Sequence, residues 1–368
     1  MEIRPFLLEE WFREFYFESD IVLCSSGVEE FTMGELLEIT GAADALGGIV
    51  LRDSQSLGAP ALLRAIARLY GDEGGDRIMV THGSSEALFL VAHALLRPGD
   101  EVVVLTPCYQ SLYSVPESIG CVVKPWPLRF EDRYEPDLDA LRALLGPRTR
   151  MVVVNFPNNP TGATLTPAQL DALVDAVAAT GAWLLWDGAF ADLVYDAPPL
   201  PDPGRRYERT ISTGTLSKSY GLSGLRVGWC RAPGEVLAGC VRLRDYVTLN
   251  LSPLIELLAC KAIEHRDQIL ARRLPRSRDN RDHLLAWVDR HRDRVACVRP
   301  KGGVSAFLRV VGGGDTEALC RRLATEHGVF LLPGTCFGRP DEIRVGFGGS
   351  PAALREGLDR FSRLLGRS

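Results

Sequence analysis

Between residue 78 and about residue 230, short apolar runs alternate with amphipathic stretches, and this alternation narrows the possible folds more than any other feature of the chain. EVVVL (101–105), CVVKPWP (121–127), RMVVVNF (150–156), AWLLWD (182–187), RTISTGT (209–215) and RVGWCRA (226–232) are each too short for a typical helix. Most are rich in β-branched residues, so they read as buried strands. Between them, SEALFLVAHALL (85–96) and PAQLDALVDAVAAT (167–180) read as amphipathic helices. Strands that alternate with helices build a mostly parallel sheet covered on both faces. Active residues of such α/β folds gather beyond the carboxyl ends of the strands.

After about residue 233 the pattern changes. Long helical segments cover 233–290, followed by strand candidates VSAFLRV (304–310), VFLLP (329–333) and EIRVGF (342–347) and a closing helix, PAALREGLDRFSRLLG. This reads as a smaller α+β domain completed by the N-terminal segment. The expected division is 1–49 as that segment, 50–260 as the large domain and 261–368 as the small C-terminal domain; 368 residues are enough for two cores. The stretch 264–294 alternates Arg with Asp and His, and reads as a solvated helix face rather than a binding patch.

Composition removes several classes of function. A net charge of −5 gives no support to nucleic-acid or anionic-membrane partners. No apolar run approaches the roughly 20 residues that span a bilayer. The first residues, MEIRPFLLEEWFREF, carry several acids and no small-residue cleavage site, so a cytoplasmic location is expected. The nine cysteines have neither metal-ligand spacing nor CxxC pairs; reduced thiols and no metal are expected.

The segment Thr213-Gly-Thr-Leu-Ser-Lys-Ser-Tyr-Gly-Leu-Ser-Gly-Leu-Arg-Val-Gly228 places Lys218 in a polar, glycine-rich turn, with Arg226 eight residues later. A lysine amine of lowered pKa can condense with an aldehyde and later act as a base. The planar fork of Arg226 suits a phosphate. Alone, the segment leaves open the reading of a surface lysine with a structural arginine. Asn155-Phe-Pro-Asn-Asn-Pro-Thr-Gly162 follows a buried strand, where a prolyl turn can hold an amide rigidly. Asp187 ends the apolar run Ala-Trp-Leu-Leu-Trp and needs either a partner or a helix to cap. Thr81-His-Gly-Ser-Ser-Glu-Ala puts Gly83, Ser84 and Ser85 at a strand-to-helix turn, whose free amides form an anion site.

These segments, in this order, resemble the fold-type I pyridoxal 5′-phosphate (PLP) enzymes of the class I/II aminotransferase branch, from about residue 50 to the C-terminus. The resemblance implies a mostly parallel seven-stranded sheet in a large domain, beside the smaller α+β domain. It implies that Lys218 holds PLP as a Schiff base and that Asp187 pairs with the pyridine nitrogen, which makes the ring an electron sink. Asn159 matches the amide on the phenolic oxygen, and Tyr109 the aromatic stacked on the ring. Ser84, Ser85, Thr215, Ser217 and Arg226 match or adjoin the phosphate cup. Arg344 matches the clamp on the substrate α-carboxylate. By the same resemblance the protein is a homodimer whose active sites are completed by the neighbouring subunit.

Two positions depart from the family's habit. Phe190 stands where a tyrosine usually donates to the phenolic oxygen. Asp53, in Arg52-Asp-Ser-Gln-Ser-Leu-Gly58, stands where a tyrosine usually reaches the phosphate of the neighbouring subunit. A carboxylate there would repel phosphate, so it faces a cation or pairs simply with an arginine. Within the branch, Ser25-Ser-Gly-Val, the Asp53 segment, Leu185-Trp-Asp-Gly-Ala-Phe and Leu249-Asn-Leu-Ser-Pro-Leu are similar to enzymes that cyclise 3-hydroxyarginine on the way to guanidine-containing antibiotics. That similarity implies a cationic amino-acid substrate, loss of the β-hydroxyl as water and attack of a guanidine nitrogen on Cβ. It adds Gly27 and Asn159 to the substrate-binding positions, with Asp53 and Glu29 as candidates for the guanidinium.

Two rival readings remain open at this point. An ordinary aminotransferase acting on arginine or a related amino acid shares every cofactor residue and differs in needing a keto acid. A non-catalytic PLP-sensing regulator would carry a DNA-binding winged helix, and the acidic stretch before the large domain is expected to leave no room for one.

Overall fold

The computed structural model describes residues 2–366. A seven-stranded sheet runs in the order Ile78–His82, Val227–Arg231, Thr210–Thr215, Trp183–Asp187, Thr149–Asn155, Glu101–Thr106, Val122–Pro127. Val227–Arg231 is antiparallel to both neighbours, and every other pairing is parallel.

Both faces of the sheet are covered, as its near-continuous apolar strands require. Val103, Val152, Val154 and Leu184 join a core shared with the C-terminal sheet and the N-terminal helix. Their alternating neighbours Val102, Val104, Val153 and Leu185 enter a second core under the helices Gly83–Leu95 and Gly234–Arg244. This is the two-residue period of a pleated strand read directly in its burial.

A four-stranded antiparallel sheet orders Leu332–Pro333, Glu342–Gly346, Ser305–Val310 and Val295–Cys297. The expected strand 329–333 is broken in two: Val329–Phe330 pairs instead with Ile21–Val22, which ties the N-terminal segment to the C-terminal part of the chain. The run at 121–127 is an edge strand and not a buried one. Among the described residues it pairs only with Glu101–Thr106, and Val122 is exposed.

The arginine-rich stretch keeps the expected solvated face, with Arg272, Arg276, Arg278, Asp279 and Arg290 exposed, but two of its arginines turn inward. It lies in one helix, Arg266–Arg290, which buries Arg273 and Arg281 along with Leu284 and Trp287. Arg273 donates to the carbonyls of Glu29 (2.9 Å) and Glu30 (3.2 Å) and stacks 3.8 Å over the Phe31 ring. A guanidinium supplied with carbonyls and a ring face is buried at little cost, which a charge count along the sequence does not reveal.

Candidate active site

The strands Trp183–Asp187, Thr149–Asn155 and Thr210–Thr215 end at a cavity of about 200 Å³. Register places Asn155 and Thr213 beside Asp187, one on each neighbouring strand. Thr213 Oγ1 donates to Asp187 Oδ1 (2.9 Å), and Asn155 Nδ2 donates to Oδ2 (3.2 Å) and to the Asp187 carbonyl (2.9 Å). The Ala189 amide adds a donor at 3.3 Å. Asp187 caps no helix, because a turn follows it. Burial pushes its carboxyl pKa up, and among the described residues no lysine or arginine lies within ion-pair distance. A buried carboxylate held only by neutral donors calls for a cation from outside the chain.

Arg344 is the complement. Its guanidinium is 1 % exposed on the strand Glu342–Gly346, and Nη1 donates to Asn159 Oδ1 at 3.1 Å while Nη2 reaches the Cys24 carbonyl. Among the described residues Nε has no partner, and no carboxylate pairs with the group. Asn159 is itself fixed by donating its backbone N–H to Asn155 Oδ1 (2.8 Å).

Lys218 sits in the turn after Thr210–Thr215, and its Nζ donates to Ser26 Oγ at 2.9 Å. Burial, with the positive charge of Arg344 next in size, brings its pKa down to about 8. The Phe190 ring lies 5.8 Å from Nζ and brings no donor. Gly27 lets the N-terminal segment lie against this turn: a Cβ there would stand 2.9 Å from the Ser217 carbonyl, and the next amide, of Val28, donates to the Lys218 carbonyl at 3.0 Å.

At the other end of the cavity Gly83 opens the helix Gly83–Leu95 with φ +75°, and Ser84 and Ser85 form its first turn. Gly228 brings the adjoining strand close, since a Cβ there would fall 2.3 Å from the Ser84 amide nitrogen. Thr215 and Ser217 hydrogen-bond each other (3.1 Å). Arg226, in left-handed backbone, also lines the cavity and has no carboxylate partner among the described residues. Free helix amides, hydroxyls and an unpaired guanidinium make a dianion site. Tyr109 lines the wall, its ring 5.0 Å from that of Phe6.

These groups fit pyridoxal phosphate. The helix N-terminus, the hydroxyls and Arg226 would take the phosphate, Asp187 the protonated pyridine nitrogen, Asn159 the phenolic oxygen and Lys218 the aldehyde carbon. Arg344 is left for the carboxylate of an amino acid.

The structure does not bring all the expected residues here. Glu29 faces a different cavity, and its carboxylate is taken by Arg276 (2.8 Å) and Arg273 (3.7 Å), so the expectation that it binds a guanidinium at this site is corrected. Asp53 lies on the surface in a separate groove with Arg52 and Lys261. Gly27 supports Lys218 from behind and does not line the cavity. Conversely, Ser26 and Glu9 line it unannounced. Ser26 stands in the noted Ser25-Ser-Gly-Val segment, whereas Glu9 belongs to no motif.

Comparison with known proteins decides the family: the model of class I and II aminotransferases matches residues 42–361. The chain belongs to that family. Among its members, the chain is 48% identical over 362 residues to capreomycidine synthase of Streptomyces vinaceus, covering 98% of this chain and 93% of the relative. It is 30% identical over 354 residues to the arginine–pyruvate transaminase AruH of Pseudomonas aeruginosa, covering 93% and 89%. The solved structure of the PLP-dependent cyclase OrfR superposes with a TM-score of 0.95 at 42% identity, covering 100% of this chain and 98% of that one.

Proposed function

We propose that the protein is a PLP-dependent cyclase that converts (2S,3S)-3-hydroxyarginine to capreomycidine in antibiotic biosynthesis. The similarity to capreomycidine synthase over nearly the whole chain carries this reading. The two uncompensated buried charges, Asp187 and Arg344, support it, because a pyridinium and an amino-acid carboxylate would satisfy both.

When bound, the cofactor supplies an electron sink that tolerates negative charge at the substrate Cα. Asp187 keeps the pyridine nitrogen protonated. Arg344 orients the substrate by its carboxylate, for which its unpartnered Nε is available. Lys218, with an amine pKa brought down to about 8, takes the proton from Cα near neutral pH and returns one at the end. The Cβ–O bond breaks and the hydroxyl leaves with a proton as water. A terminal guanidine nitrogen bonds to Cβ in its place and loses a proton, closing the ring. Phe190 leaves Asn159 as the side-chain donor for the phenolic oxygen.

The test is incubation of the PLP-loaded protein with 3-hydroxyarginine and no keto acid. A product lighter by one water, with a cyclic guanidine, is expected. No turnover there, but a keto acid formed from arginine and α-ketoglutarate, would transfer the assignment to an aminotransferase, which would use the same cavity.

The proposed assembly is a homodimer. Val50, Leu51, Tyr246 and Val247 are between 68% and 92% exposed, more apolar surface than an isolated chain ordinarily leaves in water. Asp53 lies in the same region and would act on the neighbouring copy's site. Light scattering should give twice 40.4 kDa; a monomer that turns over fully would overturn this arrangement. The division near residues 50 and 260 belongs to the same reading, supported by the pairing of Ile21–Val22 with Val329–Phe330. Among the described residues no helix is long and apolar enough to cross a membrane.

A further inference from the structure

Five charged side chains line the Lys218 cavity: Asp187, Lys218, Arg226, Arg344 and Glu9. The proposed cofactor and the substrate carboxylate account for four of them. Glu9 is left over, and among the described residues its carboxylate has neither a hydrogen bond nor an ion pair. It is nevertheless near enough for its charge to act on Lys218, Arg344 and Tyr109.

Its position is imposed by the backbone and by its neighbours. Glu9 lies on the helix Leu7–Phe15, whose Leu8, Trp11 and Phe15 are buried in the core. Gln110, next to Tyr109, clasps the start of that helix. Its Oε1 accepts from the Leu7 amide (3.0 Å), and its Nε2 donates to the Pro5 carbonyl (2.8 Å). The helix is therefore fixed at the cavity without help from the Glu9 side chain, which is free to meet a ligand.

We propose that Glu9 receives the cationic end of the substrate side chain and sets the preference of this site for a guanidinium over a neutral group. The proposal rests on the reading above and assigns its substrate-recognition residue. The cavity thus offers an amino acid two poles, Arg344 for the carboxylate and Glu9 for the far end. A carboxylate can take a guanidinium through two parallel N–H donors, whereas the urea of citrulline brings no charge to it.

The experiment uses the PLP-loaded protein and follows binding through the cofactor's visible absorption, with L-arginine and L-citrulline as probes. The wild type should bind arginine about 10- to 100-fold more tightly than citrulline, the range expected when a charged partner in a partly buried site is lost. Glu9→Gln should bring that ratio close to one while the protein keeps its cofactor, and Glu9→Asp should restore part of it. With 3-hydroxyarginine, Glu9→Gln should raise KM far more than it lowers kcat. A wild type indifferent to the charge, or a Glu9→Gln variant that keeps the preference, overturns the assignment. The binding readout needs no turnover, so the two ideas fail separately. Loss of the arginine preference in Glu9→Gln, in a protein that does not cyclise 3-hydroxyarginine, sinks the cyclase alone. Cyclisation with an unaltered preference sinks Glu9 alone.

Discussion

Lys218→Ala is expected to lower turnover of 3-hydroxyarginine by a factor on the order of 10⁴ or more, the upper range for loss of a positioned proton carrier. Lys218 is the lysine that lines the cavity, and Ser26 Oγ, its 2.9 Å neighbour, is far too weak a base to replace it. The cofactor should still bind, because Asp187, the Gly83–Leu95 helix N-terminus and Arg226 remain. Borohydride treatment followed by mass spectrometry should then find no covalent adduct, while gel filtration should retain the visible chromophore. Turnover near the wild-type rate would remove Lys218 from its assigned role. The cofactor-free protein offers a second readout. Burial holds the amine at a pKa of about 8 against an ordinary 10.5, so between those values the unfolded chain binds more protons than the folded one. Stability of the cofactor-free wild type should therefore rise with pH across that window, and Lys218→Ala should flatten the rise.

Asp187→Asn should cost roughly 10³-fold in kcat with most of the cofactor retained, since an amide fills the same space but cannot hold a proton on the pyridine nitrogen. The Thr213 hydroxyl and the Ala189 amide can still donate to the Asn oxygen. The stability effect runs opposite to the activity effect. Burial raises the Asp187 pKa, so folding without cofactor disfavours its ionised form, and this penalty grows as pH rises through the shifted pKa. The cofactor-free Asn variant should be at least as stable as the wild type at neutral pH, and PLP should raise its melting temperature less. A variant with unchanged kcat would show that the buried carboxylate does not serve the ring nitrogen.

What the sequence made legible was local. Lys218 in its glycine-rich turn, Asp187 at the end of an apolar run and Ser84–Ser85 at a strand-to-helix junction each carry their context within a few residues, and all meet in one cavity. Arg344 was reached by resemblance to a family, because nothing around it distinguishes it from a strand arginine on the surface. Glu9 could not be found that way: its helix is amphipathic like many others, and only the distant clasp of Gln110 brings it to the site. Glu29 misled for the matching reason, since Arg273 and Arg276 come from a helix hundreds of residues away. The order of strands in a sheet is likewise a property of the assembled chain, which is why Val122–Pro127 read as buried and proved to be an edge.

Asn155 holds the Asp187 carboxylate with its nitrogen and the Asn159 backbone with its oxygen. The groups proposed for the ring nitrogen and the phenolic oxygen of the cofactor thus share one tether. Substitutions at Asp187 and Asn159 should show epistasis through Asn155, so mutational paths that alter one before the other would meet different fitness costs depending on their order. Diversification of this family's chemistry would then be easier at residues outside that tether, such as Phe190 and Glu9, than within it.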